Sequence, residues 1–380
     1  MGIAAVPQYL GHDFTGAPPG HRFGLYFPYW QPDTWQADDK QKAVALKQVI
    51  SMDSCCQRQL DALRIRQATL AEQGGAMMFT LEAISSAPFM TGTGMEHPLE
   101  NGFAFLNPYG LPYLPGSGVK GVLRRAAENL VSGEYGDARG WTQEAISSLF
   151  GKETASGDAE TARNRGAVQF WDVIPKLASN TLCVEIMTPH YGDYYQGAST
   201  PHDSGQPNPI PFLAIPPRSA FTFYIQCNPT LVPKTLHDCW QLLLEIAFQH
   251  AFDWLGFGAK TAVGYGAMDR DLEQEAKKRH EAEQREHKAR EASLTPGQKA
   301  LAELERWFAE DREAKRKEPG GRIADRLNEL LKEGLLWPAA EREGLAQLAE
   351  AIYGYLGWGD GKKKQDRKAK IQKLCEGEAS

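Results

Sequence analysis

Residues 114–124 read Leu-Pro-Gly-Ser-Gly-Val-Lys-Gly-Val-Leu-Arg, which places a proline–glycine turn directly before a predicted helix. Lys120 lies in the first turn of that helix and Arg124 follows four residues later, so both cations are predicted to project from one face. The unpaired N–H groups and the positive dipole end of a helix start suit a phosphate. The pattern favours a phosphodiester strand as ligand, while an ordinary exposed helix face remains the alternative.

A second segment, residues 255–266, reads Leu-Gly-Phe-Gly-Ala-Lys-Thr-Ala-Val-Gly-Tyr-Gly and follows a strongly apolar stretch. Glycines let a backbone approach a ligand closely, although they also end helices and permit turns. Ala259 precedes Lys260 where an ATP-binding phosphate loop requires glycine, and the third glycine of a dinucleotide fingerprint is missing. The segment therefore indicates neither an ATPase nor a dehydrogenase.

Alternating and β-branched runs predict five extended stretches around these two segments. They are residues 77–85, 167–174, 181–187, 212–227 and 262–268. Helices are predicted from about residue 117 and over residues 236–254. The order strand, helix, strands, helix, strand predicts an α+β, ferredoxin-like (RRM-like) fold.

The two segments resemble the paired motifs of the RAMP superfamily of CRISPR-associated proteins, Pro-Gly-Ser-x-x-Lys-Gly-x-x-Arg and a late Gly-x-Gly-x-x-Thr-x-x-Gly-Tyr-Gly loop. The runs 187–191, 194–195 and 208–213 are similar to the sixth-subunit family of type III-B (Cmr) effector complexes. The resemblance spans roughly residues 79–268. Gly118 departs from it, because the superfamily more often has a small polar residue there.

This resemblance implies a non-catalytic subunit of an RNA-guided complex in antiviral defence. It would hold the 3′ portion of CRISPR RNA (crRNA), and its duplex with target RNA, through backbone contacts. The implied partners are a repeating backbone subunit, a small helical subunit and a capping RAMP subunit, with no cofactor and no metal. The two motif segments are expected to meet on one surface. The candidate RNA-binding residues are Gly116, Ser117, Lys120, Arg124, His190, Tyr191, Gly256, Gly258, Lys260, Thr261, Gly264 and Tyr265.

Two other classes of protein compete with that interpretation. A RAMP-type endoribonuclease that processes CRISPR transcripts would use His190 or His202 as general base on a ribose 2′-hydroxyl. The nearby Asp193 and Asp203 add carboxylates, but no recurring metal-ligand spacing is present. A scaffold that contacts only proteins through its C-terminal helices is the third class.

The bulk properties limit where and how the chain works. Its 380 residues carry a formal charge of −6, so RNA binding must come from a local cationic surface and should be weak in the isolated chain. Six cysteines without a Cys-x-x-Cys pair favour a reducing cytoplasm. No apolar run reaches the length of a membrane span, and no signal peptide is evident.

Composition predicts three regions along the chain. Residues 1–36 form an irregular arm, and residues 37–270 form the RAMP domain, with a helical extension at its start and a thumb-like insertion at 189–211. Residues 271–380 form a helical extension of mixed charge that ends in a basic tail beginning at Lys362. Contact with a partner is the predicted task of this extension.

Overall fold

The computed structural model of the protein describes residues 2–152, 165–188, 209–318 and 320–376. The chain divides into two compact units, Met1–Glu275 and Ala276–Ser380. The described part of the first unit combines helices with antiparallel sheets, and that of the second consists of helices. None of the helices in these ranges combines the length and apolar character needed to cross a bilayer.

The strands, numbered along the chain, all belong to the first unit. They are β1 (Met78–Ser85), β2 (Phe105–Leu106), β3 (Leu111–Pro112), β4 (Val168–Phe170), β5 (Cys183–Met187), β6 (Ile210–Ala214), β7 (Ala220–Cys227) and β8 (Met268–Arg270). Helices of the first unit are α1 (Pro19–Gly24), α2 (Lys42–Val49), α3 (Ser54–Gly74), α4 (Gly116–Ser132), α5 (Gln143–Phe150) and α6 (Trp240–His250). Helix α7 (Leu272–Ser293) begins in the first unit and continues into the second, where α8 (Pro296–Glu313), α9 (Arg322–Glu333), α10 (Ala339–Leu356) and α11 (Gly361–Glu376) follow.

The main sheet has the strand order β4-β7-β1-β8, and every neighbouring pair is antiparallel. Helix α4 connects β1 to β4, and α6 connects β7 to β8. This is the strand–helix–strand–strand–helix–strand arrangement of a ferredoxin-like fold, so the predicted fold is confirmed. A separate hairpin, β5–β6, lies between β4 and β7 in the sequence.

The core of the first unit lies between this sheet and the helices α4 and α6. Leu81 of β1 and Phe223 of β7 are almost completely buried there. Alternate residues of a strand point to the same face of the sheet, and the core covers one face. The Phe223 and Phe248 rings lie 4.9 Å apart between their centroids. Helix α4 contributes an inward stripe that begins with Val119 and Leu123. Full burial of each such side chain contributes about 2 kcal/mol of stability.

Several predicted element boundaries are wrong for local reasons. The predicted strand 262–268 is instead a helical turn, Thr261–Val263, and β8 begins only at Met268. Gly264 and Gly266 have positive φ angles, which an extended strand does not allow. The predicted strand 212–227 divides into β6 and β7, because two prolines between them supply no N–H groups for a ladder.

Other predicted elements begin or end elsewhere. The predicted helix 236–254 begins at Trp240 and ends in a wider turn, Ala251–Leu255, just before Gly256. The predicted strand 167–174 is regular only in β4. The segment before residue 37 contains α1. Most of the predicted insertion at 189–211 lies outside the described residues, and Ile210 already belongs to β6.

The second unit has its own hydrophobic core. Leucines from all four helices α8 to α11 are completely buried in it; they are Leu304, Leu327, Leu345 and Leu374. At the start of α8, the Thr295 hydroxyl accepts a hydrogen bond from the Gln298 N–H at 3.1 Å, and the Gln298 side chain accepts one from the Thr295 N–H. This capping box satisfies N–H groups that a helix start would leave unpaired.

Candidate nucleic-acid interface

The N-terminus of α4 carries the first predicted site. Its first residue, Gly116, is buried against β4, and its N–H donates a 2.7 Å hydrogen bond to the Asp172 carboxylate. Asp172 follows β4 closely, and its carbonyl accepts a 2.6 Å hydrogen bond from the Gln67 side chain of α3. A carboxylate of the protein itself therefore meets the positive end of the helix. The Gly116 N–H is consequently unavailable to a phosphate.

Two neighbours of Gly116 remain accessible. Ser117 is exposed and Lys120 is half-buried at the surface of α4. No ion pair to Lys120 occurs in the part of the chain that the structure describes. Lys120 therefore stays a candidate for phosphate contact, and Ser117 can offer its hydroxyl beside it.

Arg124 is largely engaged within the protein. Its Nε donates to the Glu128 carboxylate at 3.1 Å, and its Nη1 donates to the carbonyl of Gly151, at the end of α5, at 3.0 Å. The side chain is only 15% exposed. Arg124 thus ties α4 to α5, which is a structural task that the spacing from Lys120 did not reveal.

Arg125 is an exposed cation that the sequence interpretation missed. Its side chain is 68% exposed, and its Nη1 lies 3.9 Å from the Glu128 carboxylate. The apolar periodicity of α4 could have identified Arg125 as outward-facing. The buried residues of that helix include Val119, Leu123 and Leu130.

We expect Arg124→Ala to lower the free energy of unfolding by about 2 kcal/mol, because it removes the charge-assisted hydrogen bonds to the Glu128 carboxylate and the Gly151 carbonyl. Arg125→Ala is the matched control, with an expected change below about 0.5 kcal/mol, since exposed ion pairs contribute little. Urea unfolding followed by circular dichroism compares the two. Equal effects would show that the Arg124 contacts add no stability.

The glycine-rich loop, residues 256–266, is fixed to the segment that follows β1. The Ala259 N–H donates to the Met90 carbonyl at 2.8 Å, and the Gly266 N–H donates to the Pro88 carbonyl at 2.9 Å. Inside the loop the Phe257 N–H donates to the Gly266 carbonyl at 2.9 Å. The base of the loop is therefore rigid, and part of its backbone donors are already used.

The tip of this loop is open to solvent. Lys260 is exposed and has a left-handed backbone, φ 59° and ψ 33°, at the start of the helical turn Thr261–Val263. Thr261 is half-buried, and Gly264 is exposed. Gly256 and Gly258, nearer the base, also have positive φ angles. The loop thus presents one cation and several backbone groups on a fixed base.

Tyr265 is turned toward the β5–β6 hairpin. Its ring lies 5.5 Å from the Phe212 ring at 75°, an edge-to-face contact. Burial raises the pKa of the Tyr265 hydroxyl, and the nearby Glu185 carboxylate raises it further. This ring is consequently occupied by protein packing and is poorly placed to stack on a base.

The structure shows no polar link between the two segments in the part of the chain that it describes. Among the described residues, no hydrogen bond, ion pair or ring contact joins residues 116–124 to residues 256–266. Helix α4 approaches the end of α6 through its C-terminal half, where the Asn129 side chain lies 3.4 Å from His250 Nε2. That the two segments share one surface stays a prediction. The remaining candidates, His190 and Tyr191, and the alternative catalytic His202, lie outside the described residues.

Known proteins are similar to parts of this chain. The model of the RAMP superfamily matches residues 80–269, half of the chain. A Cmr6 subunit of the CRISPR Cmr system of Pyrococcus furiosus is 28% identical over 243 residues, which cover 50% of this chain and 69% of that protein. A Cmr6 subunit of Saccharolobus solfataricus is 27% identical over 172 residues, which cover 45% of this chain and 49% of that protein.

Two solved structures are also similar. One is a cryo-electron microscopy structure of the type III-B Cmr-beta complex bound to cognate target RNA, with a TM-score of 0.41 and 19% identity over 62% of this chain and 76% of that chain. The other is the crystal structure of Cmr6 from Pyrococcus furiosus, with a TM-score of 0.30 and 24% identity over 51% of this chain and 98% of that chain. On the match of the family model, the chain belongs to the RAMP superfamily.

Proposed function

We propose that this protein is a structural subunit of a type III-B (Cmr) RNA-guided complex in antiviral defence. It holds the 3′ portion of crRNA and the duplex between crRNA and target RNA by contacts to the backbone. Membership of the RAMP superfamily supports this proposal. So do two relatives that carry the name of the sixth Cmr subunit.

The observation that carries the proposal is the exposed tip of the glycine-rich loop. Lys260 carries an exposed ammonium group on a backbone that hydrogen bonds hold at Pro88 and Met90. Lys120 adds a second cation on the surface of α4. Contacts of this kind position a nucleic acid without reading its bases. Sequence recognition is left to pairing between guide and target, as in other RNA-guided complexes.

The net charge of the whole chain favours a local contact with RNA over a protein that covers RNA along its length. With a formal charge of −6, the chain has no general attraction for a polyanion, and neighbouring subunits supply the rest of the binding surface. The proposed neighbours are the repeating backbone subunit, the small helical subunit and the capping RAMP subunit. Purifying the tagged chain from its host, with sequencing of bound RNA, tests this assembly.

We expect the double variant Lys120→Ala/Lys260→Ala to bind crRNA about tenfold more weakly near 0.1 M salt. The slope of log affinity against log salt should fall by about 1.4, since each lost contact to a single strand removes about 0.7. Fluorescence anisotropy over a salt titration measures both quantities.

The matched control for that experiment is Lys47→Ala/Lys234→Ala, which removes two exposed lysines of the same unit. The control should leave affinity and slope near those of the unchanged protein. If both double variants lower affinity equally, the effect belongs to net charge, and the assignment of Lys120 and Lys260 is refuted.

The proposed role is non-catalytic, and a cleavage assay tests that part separately. The purified protein is incubated with repeat RNA, with and without a chelator, beside the variants His190→Ala and His202→Ala. We expect intact RNA in every sample. Reproducible cleavage that either histidine substitution abolishes would replace the structural role with the endoribonuclease alternative.

A further inference from the structure

The last helix of the second unit, α11, concentrates positive charge. Its 16 residues contain seven Lys and Arg against one Asp and one Glu, a formal charge of +5 in a chain of −6. Helix α7 of the same chain is different, because its cations are interleaved with glutamates along its whole length. The positive charge of α11 is therefore a local feature of this helix.

Hydrophobic packing fixes the orientation of α11. Ile371 and Leu374 are buried in the core of the second unit. On the same side, Arg367 lies 4.5 Å above the Tyr353 ring and donates to the Gly357 carbonyl at 2.9 Å. Lys368 also lies over a ring, with its Nζ 5.9 Å from the Trp358 centroid. With one edge anchored in this way, other lysines of the helix remain exposed.

Four of those lysines share the outward side of the helix. At 3.6 residues per turn, Lys362, Lys363, Lys370 and Lys373 fall within about 100° of arc, and all four are exposed. They extend over about 16 Å of helix, at a rise of about 1.5 Å per residue, which matches about five nucleotides at roughly 3.4 Å per phosphate. These four residues are called the lysine face of α11.

The lysine face keeps a net positive charge, because the same arc holds four lysines and one acid, Asp366. No ion pair involves α11 in the described part of the chain. Lys363 and Arg367 are four residues apart, as are Lys364 and Lys368, and like charges at this spacing destabilise a helix. Three lysines in the first turn also oppose the helix dipole. A polyanion bound to the lysine face would offset the repulsions that involve Lys362 and Lys363.

We propose that the lysine face of α11 binds the phosphate backbone of an RNA strand. This second RNA surface lies outside the RAMP match at residues 80–269 and gives the C-terminal unit a task of its own. Charge complementarity supports a phosphodiester ligand, and the choice of RNA over DNA rests on the proposed function. Contact through lysine ammonium groups alone makes the binding independent of base sequence.

The test uses the full chain with labelled oligouridylate and, in a parallel arm, labelled oligodeoxythymidylate. Lys363→Gln/Lys370→Gln/Lys373→Gln should bind oligouridylate about tenfold more weakly near 0.1 M salt. The slope of log affinity against log salt should fall by about 2, because three contacts of about 0.7 each are lost. The matched control, Lys277→Gln/Lys288→Gln/Arg290→Gln, removes the same charge from α7 and should change neither quantity.

A triple Lys→Arg variant at the same three positions keeps the charge and should bind as the unchanged protein does, which separates lost contacts from lost folding. Unchanged RNA affinity in the glutamine variant overturns the inference. A loss of affinity confined to oligodeoxythymidylate also overturns it, and so does a loss confined to assembly with protein subunits.

The Lys120→Ala/Lys260→Ala variant is measured beside the α11 variant. If only the Lys120→Ala/Lys260→Ala variant loses RNA affinity, RNA binding by the lysine face of α11 is refuted and the proposed loop contact stands. If only the α11 variant loses RNA affinity, the proposed contact of Lys120 and Lys260 is refuted and the α11 surface stands.

Discussion

We expect Gly266→Ala to lower the free energy of unfolding by about 4 kcal/mol and the melting temperature by about 10 °C. Gly266 has φ +71°, which is strained for any residue with a Cβ. A Cβ at this position would also overlap the Phe257 carbonyl oxygen and lie 2.9 Å from the carbonyl carbon. Phe257 is completely buried, so its backbone has no space to retreat. Thermal unfolding by circular dichroism gives the measurement.

Gly264→Ala is the matched control in the same loop. Its φ is +96°, but nothing lies within 4 Å of the position a Cβ would take. Only backbone strain is added there, about 1 kcal/mol. A loss at Gly266 no larger than at Gly264 would show that the Phe257 carbonyl does not constrain this position.

Gly116→Ala is the second large expected effect, a loss of about 3 kcal/mol. A Cβ on Gly116 would overlap the Phe170 carbonyl oxygen and lie 3.0 Å from the Trp171 carbonyl carbon. These are backbone atoms of β4 and the residue after it, so α4 has to move away from the sheet. That movement also weakens the hydrogen bond from the Gly116 N–H to Asp172. Urea unfolding measures the change.

The control for Gly116 lies two residues away, at Gly118. A Cβ there meets only the Leu114 side chain, at 3.4 Å, and alanine is favoured over glycine within a helix. Gly118→Ala should therefore stabilise the protein by about 0.5 kcal/mol. The two substitutions in this motif are therefore expected to change the free energy of unfolding in opposite directions. Destabilisation of similar size at both positions would contradict the packing of Gly116 against β4.

The main elements of the fold followed from local patterns. Alternation of apolar residues predicted a strand at 77–85, and β1 occupies Met78–Ser85. The turn at Pro115 predicted the start of α4 to within one residue. The strand predicted at 262–268 was wrong for a physical reason. Gly264 and Gly266 adopt positive φ angles, which the neighbouring residue types do not indicate.

Less of the candidate site than of the fold could be predicted from the sequence. The spacing of Lys120 and Arg124 predicted that both project from one face of α4. The Arg124 side chain is only 15% exposed, and its partner, the Gly151 carbonyl, is 27 residues away in the chain. The carboxylate that meets the start of α4 belongs to Asp172, 56 residues beyond Gly116. Partners at such separations cannot be found from helix periodicity.

The sequence by itself determined the RAMP membership, the ferredoxin-like order of elements along the chain and the cationic character of α11, since each follows from residue types at short spacing. Only the tertiary structure decided what the motif glycines touch. A glycine permits the close approach of any backbone, and the structure shows that Gly116 and Gly266 approach the protein's own chain. Which side chains then remain accessible depends on distant segments folding together, and Lys260 stays exposed after that folding while the Arg124 side chain is only 15% exposed.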